Sequence, residues 1–255
     1  MSELPPSPPA DATPSRMLDG RLTLWQPAKG YRAGLDAALL AAACDAPTGA
    51  RVLDVGCGAG GALLAAAVRR PEATFTGLER DPAALSLARL NIRENGLSDR
   101  VSVQPGDVGD GFAAVDLPRF DQALANPPFF DDPAALRAPA LEKTGAWMAD
   151  HGLGAWCAFL LKAVRDGGAV TVIHRADRLA DLLSGLGARA GSFQIRPIHP
   201  FGDAPAKRVL VRAVRGGKAP LRLLPALILH DREAEAKHTA EVEAILRGRA
   251  DLAWL

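Results

Sequence analysis

The chain has 255 residues, 48% of them apolar, and a formal net charge of +1. It can bury one substantial core without being split in two, and its near-neutral balance does not by itself advertise a nucleic-acid partner. Arg or Asp interrupts every apolar run short of a membrane span, the proline-rich N-terminus does not read as a signal peptide, and three scattered cysteines (Cys44, Cys57, Cys157) without C-x-x-C or paired His spacing argue against a zinc site or disulfide framework and for a reducing cytoplasm.

In chain order, Met1 to about Ser15, with Pro5, Pro6, Pro8, Pro9 and Pro14, reads as a disordered tail, leaving residues 16–255 as a single domain. Leu35 to Cys44 is Ala/Leu-rich and predicts a helix with Asp36 near its start, where an acid serves either the helix dipole or a cationic ligand group. Arg51 to Gly61 (RVLDVGCGAGG) reads as an apolar strand, an acid and a glycine-dense turn into a helix from about Ala62 to Arg69. Gly56, Gly58 and Gly61 satisfy G-x-G-x-x-G, so a dinucleotide site has to be weighed. Asp54 inside that turn would repel a pyrophosphate and attract an ammonium, and nothing beyond the loop suggests nicotinamide chemistry. S-adenosylmethionine, with an ammonium, a sulfonium and no phosphate, fits the acidic loop better. Cys57, within the loop, reads as a small filler.

The next strand, Thr74 to Leu78, ends at Glu79, placed to accept hydrogen bonds from ribose hydroxyls. Asp81-Pro82 resembles an N-cap with proline at the first helical position, and Gly96 ends the helix after about Asn95. Asp107 follows the strand Val101-Ser102-Val103 and could bond an adenine amino group. Three acids at three successive strand ends suit the crevice at which open α/β sheets bind ligands.

The strand Phe120 to Ala125 then runs into Asn126-Pro127-Pro128-Phe129. The two prolines stiffen this turn, which presents two hydrogen-bond acceptors, the Asn126 amide oxygen and the Pro127 carbonyl, beside a phenyl ring. That set suits a planar NH2 group. Both N–H bonds can be accepted while the nitrogen lone pair is drawn towards tetrahedral geometry, so catalysis is mainly positioning, without metal or strong general base. Glu142 to Val164 has helical spacing, with Trp147 and Trp156 as core or lid residues; Ala169 to His174 reads as a fifth strand and Asp177 to Leu186 as a helix. Gly191–Pro197 and Arg208–Val214 look like a closing antiparallel pair, and Thr239 to Leu246 like a final helix. The five histidines share no spacing. A basic run free of acids, Lys207, Arg208, Arg212, Arg215, Lys218 and Arg222, extended by Arg16, Arg21, Lys29 and Arg32 near the N-terminus, reads either as a phosphate-binding patch for RNA or as a solvated edge strand.

D-x-G-x-G-x-G, Glu at the second strand end, Asp after the third and N-P-P-aromatic after the fourth resemble the class I S-adenosylmethionine-dependent methyltransferases across residues 50–130. The stretches Gln26–Ala37 and Ala219–His230 extend the resemblance to the tRNA(Val) adenine N6-methyltransferase group. The resemblance implies a Rossmann-like α/β fold with a seven-stranded, mostly parallel sheet, helices on both faces and an antiparallel C-terminal strand pair. It implies S-adenosylmethionine as cofactor, S-adenosylhomocysteine as product and no metal, and RNA, most simply tRNA modified beside the anticodon, as substrate. The implied cofactor residues are Arg32, Asp36, Asp54, Gly56, Cys57, Gly58, Gly60, Glu79, Arg80, Asp107, Val108 and Asn126, and the implied catalytic residues Asn126, Pro127, Pro128 and Phe129. Many amino methyltransferases carry Tyr where this chain has Phe129. N-P-P-Phe also resembles enzymes acting on the exocyclic amine of guanine in ribosomal RNA, and a protein glutamine amide offers the same geometry, so both acceptors stay open beside adenine. A catalytically silent RNA-binding protein is the reading from a different class. The charged stretch Asp231–Lys237 has no functional reading.

Overall fold

A computed structural model describes residues 8–9, 11–28, 32–129 and 152–254. The chain opens with a hairpin, β1 (Ala12–Met17) and β2 (Leu22–Pro27), paired antiparallel. The expected tail to Ser15 is therefore corrected: from Ala12 the chain is strand. The signal was present in Leu22–Pro27, whose alternating buried and half-buried side chains follow the period of a half-buried strand. Proline density at the N-terminus masked it.

The main sheet contains β3 (Arg51–Val55), β4 (Thr74–Glu79), β5 (Val101–Pro105), β6 (Phe120–Ala125), β7 (Val164–Arg175), β8 (Ala190–His199) and β9 (Arg208–Arg215). Two short strands, β10 (Arg222–Leu223) and β11 (Leu227–Ile228), both pair parallel with β8. The spatial order is β10-β8-β9-β7-β6-β3-β4-β5, with β11 also on β8. The seven expected strands are all present, β9 antiparallel to both β7 and β8. β10 and β11 make the sheet nine-stranded; at two residues each they are too short to carry a periodic signal.

The helices are α1 (Leu35–Ala42), α2 (Gly61–Arg69), α3 (Pro82–Glu94), α4 (Leu153–Ala163), α5 (Leu179–Gly187) and α6 (Ala240–Leu246). Asp81 caps α3 by accepting the Ala83 N–H at 3.0 Å, with Pro82 at the first helical position. Thr239 caps α6 by accepting from Val242. α4 starts at Leu153; the rest of the expected 142–164 helix, Trp147 included, lies outside the described residues. Two apolar layers clothe the sheet. One packs α1, α2, α6 and the hairpin through Leu24, Leu39, Leu40, Leu63, Leu64, Val242 and Ile245. The other packs α4 and α5 through Phe159, Leu160, Leu182 and Leu186. Trp156 belongs to the second layer. No described helix is long and apolar enough to cross a membrane.

Candidate active site

Register brings the functional segments together. In the β3–β6 ladder Val55 pairs with Ala125, so Gly56 and Asn126 leave adjacent strands side by side at the same edge. Leu78 lies opposite Val55, and Glu79 lies opposite Pro105 on β5, so the loops after β3, β4, β5 and β6 open along one rim.

Backbone geometry fixes the glycine loop. Gly56 has φ +69°, and a Cβ there would stand 2.5 Å from Cη2 of Trp156. A side chain is excluded both by the left-handed backbone and by the indole beneath it. On the other side, a Cβ at Gly61 would collide with that of Ala33. The loop is thus pressed between α4 and the segment leading into α1. Cys57 is buried, its Sγ lies against Gly77, and burial raises its thiol pKa, which fits the filler role expected of it.

The acids do different work from one another. Asp54 is 2% exposed, its Oδ2 has no hydrogen-bond partner among the described residues, and burial lifts its pKa to about 8, opposed by a hydrogen bond from the Leu63 backbone and assisted by the nearby Glu79 charge. The carboxyl lies under the loop, hydrogen-bonded to the Leu63 backbone in the first turn of α2. Glu79 is 9% exposed and bridges the rim. Its Oε2 accepts the Gly58 N–H at 2.8 Å and its Oε1 the Asp81 N–H at 2.8 Å. Each oxygen keeps acceptor capacity for a hydroxyl. Asp107 accepts the Gly109 N–H at 2.9 Å, and its other oxygen is 3.7 Å from Arg80, so Arg80 and Asp107 meet across the β4 and β5 ends, next to buried Val108. Arg32 points elsewhere than the glycine loop: it bonds the Thr13 hydroxyl at 2.7 Å and the Pro27 carbonyl at 2.9 Å, tying the hairpin to its exit.

The Asn126–Phe129 turn has Pro127 buried and Asn126, Pro128 and Phe129 half-buried. The Phe129 ring meets the His174 ring edge-on, with centroids 5.2 Å apart. The Arg208 guanidinium lies over Phe129, 4.5 Å from its centroid, and its Nε bonds Asp36 at 3.1 Å. Asp36 thus already has a cationic partner.

The basic run does not form one face. β9 is internal to the sheet, which corrects the edge-strand reading for Arg208, Arg212 and Arg215, whereas Arg222 does lie on the edge strand β10; β9 runs from the rim of the glycine loop to the opposite end of the strands. Arg208 sits at the rim. Arg212 pairs with Asp45 at 3.1 Å, and Arg215 pairs with Asp166 at 2.7 Å while bonding the Leu161 and Val164 carbonyls. Both are mostly buried, at 18% and 12% exposure, and serve the fold. Lys207, Lys218 and Arg222 are exposed; Lys29 lies outside the described residues. The charged stretch after His230 packs on the β8–β9 connection: Arg232 lies 4.0 Å over the Phe201 ring, and His238 stacks on His230.

Asn91 and Asn95 were missed in the sequence. Asn91 accepts the Trp25 N–H and donates to the Trp25 carbonyl, and Asn95 does the same for Thr23, so two side chains one turn apart imitate a strand beside β2. Asn91 also donates to the Ala59 carbonyl at 2.8 Å, joining hairpin and glycine loop. The i, i+4 spacing of two Asn on one helix face was the available signal. A hollow of about 330 Å³ lined by Thr48, Asp121, Gln122, Arg165 and Arg212 lies at the opposite end of the strands.

The donor set fits S-adenosylmethionine. The loop is shaped for close backbone approach, two carboxylates lie at or under it, and Asp107 stands one strand further along, with Arg80 already facing it, which suits a ribose and a sulfonium better than a pyrophosphate.

Comparison with known proteins agrees. The methyltransferase small domain family model matches residues 32–143. The tRNA1(Val) (adenine(37)-N6)-methyltransferase of Porphyromonas gingivalis is 32% identical over 201 residues, covering 74% of this chain and 77% of that protein. The Shewanella amazonensis protein of the same name is 30% identical over 83% of this chain and 84% of its own length. Among solved structures, an Agrobacterium tumefaciens protein described as a predicted O-methyltransferase superposes with TM-score 0.72 at 29% identity, covering 86% of this chain and 99% of that one.

Proposed function

The chain belongs to the tRNA1(Val) (adenine(37)-N6)-methyltransferase family, and from that premise we propose that it methylates the exocyclic N6 amine of an adenine in tRNA(Val), beside the anticodon, in the cytoplasm. It is a methyltransferase of the Rossmann-like class I fold. The observation that carries the reading is the Val55–Ala125 register, which sets the Asn126 turn beside the glycine loop.

S-adenosylmethionine, when bound, supplies a methyl group activated by its sulfonium. The chain holds it with the Gly56–Gly60 loop, the Glu79 carboxylate towards the ribose and Asp107 with Arg80 and Val108 towards the adenine. Asp54 acts from beneath, fixing the turn into α2. The N6 lone pair of adenine is delocalised into the ring. Asn126 Oδ1 and the Pro127 carbonyl accept the two N–H bonds and orient the lone pair, and the same two dipoles oppose the positive charge that grows on nitrogen. Phe129 stacks on a base splayed out of the anticodon loop. Residues 11–254 work as one domain, the hairpin included. Mass spectrometry of tRNA nucleosides from a deletion strain and its parent tests this: N6-methyladenosine should vanish from tRNA(Val). Its retention there, with loss of a methyl group from ribosomal RNA or a protein glutamine instead, would replace the reading.

A further inference from the structure

Asp36 from α1, Phe129 from the catalytic turn, His174 from the end of β7 and Arg208 from the start of β9 meet at one place. Asp36 and Arg208 are 21% and 31% exposed, so their attraction is only partly screened. A guanidinium over a ring face is held by the ring quadrupole, and a carboxylate fixing that guanidinium restricts the ring further. We propose that Arg208, pinned by Asp36, is a positioning residue that sets the plane of the Phe129 ring against which the substrate base stacks. This rests on the reading of Phe129 as the base platform.

The pair also resolves an electrostatic conflict. The amine becomes more positive as it is methylated, and a lone guanidinium beside the platform would oppose that. Asp36 cancels the charge while keeping the geometry. Asp36 therefore works through Arg208 and not on the cofactor ammonium. Removing one member of such a pair leaves an uncompensated charge, whereas removing both does not.

The experiment compares full-length Arg208→Gln, Asp36→Asn, the double variant and Arg208→Lys in tRNA methylation and in S-adenosylmethionine calorimetry. Arg208→Gln should lower kcat about tenfold, equivalent to roughly 1.4 kcal/mol of lost positioning, with cofactor affinity and KM for tRNA unchanged. Arg208→Lys should recover part of the rate. Asp36→Asn should fall below Arg208→Gln, and the double variant should climb back to the Arg208→Gln level, a recovery that general destabilisation would not give. Weakened cofactor binding in Asp36→Asn, not restored in the double variant, would make Asp36 a cofactor ligand and overturn the proposal. A raised KM with a shallower salt dependence in Arg208→Gln would make Arg208 a phosphate contact and overturn it equally. Independently of activity, 4-fluorophenylalanine at position 129 should show a 19F resonance that moves in Arg208→Gln and not in Lys207→Gln; an unmoved resonance refutes the pairing. A resonance that moves in Arg208→Gln, together with a wild-type enzyme that makes no N6-methyladenosine, would instead refute the functional reading and leave the pairing standing.

Discussion

The two halves of the catalytic rim are built by different means. At the ends of β4 and β5 the acids bond chiefly to nearby backbone: Glu79 holds the Gly58 and Asp81 N–H groups, and Asp107 holds Gly109 while its other oxygen faces Arg80. Beyond β6 the side chains satisfy one another across distant elements, as Asp36, Arg208 and Phe129 do. A scaffold of backbone bonds is pre-organised before any ligand arrives. A scaffold of side-chain pairs can be tuned, because each member can be exchanged without breaking the main chain.

Breaking the first half should have the larger effect. Glu79→Ala removes the acceptor of two backbone N–H groups and a ribose partner, so cofactor affinity measured by calorimetry should fall about 100-fold. An unchanged affinity would mean that the loop holds its shape without the carboxylate. Next in size is Arg215→Met, which strips two carbonyls at the end of α4 and the ion pair with Asp166. Its expected cost is about 2 kcal/mol, lowering the thermal midpoint by roughly 4–8 °C, with the salt dependence of tRNA binding unaltered. A shallower salt dependence would return Arg215 to the RNA face.

Much of the first half was legible in the sequence, and much of the second was not. Asp54, Gly56, Glu79, Asp81 and Asp107 act within a turn or a strand end of where they stand in the chain, so spacing exposes them. Even there spacing gives position along a turn and not the direction in which a carboxyl points, and it does not show that Asp54 is buried beneath its loop. Arg208, Arg212 and Arg215 read as one basic run, yet each is paired with an acid from a different element, Asp36, Asp45 and Asp166. Only the sheet order, with β9 inserted between β7 and β8, assigns those partners.

Smaller effects sharpen the contrast. Asp54 has its pKa raised from 3.8 to about 8 by burial. The folded state therefore binds its proton more tightly than the unfolded chain, and the stability this gives is present below pH 4 and lost as pH rises towards 8. Asp54→Asn should flatten the decline in thermal midpoint between pH 4 and 8; an identical decline in the variant would place the titrating group elsewhere. Smallest of all, Lys207→Gln and Arg222→Gln should each reduce the slope of log affinity for tRNA against log salt by about one, leaving the midpoint unchanged. No change in slope would remove these exposed side chains from the RNA-binding face.

The most direct measurement is single-turnover methyl transfer from labelled S-adenosylmethionine to tRNA(Val) by Asn126→Ala beside the wild-type enzyme, with cofactor affinity measured on the same samples. The expected result is a rate lower by about 100- to 1,000-fold at near-normal affinity, because one of the two acceptors that orient the amine is gone while the glycine loop is intact. A wild-type rate in that variant would contradict the assignment of the Asn126 turn as the site of chemistry.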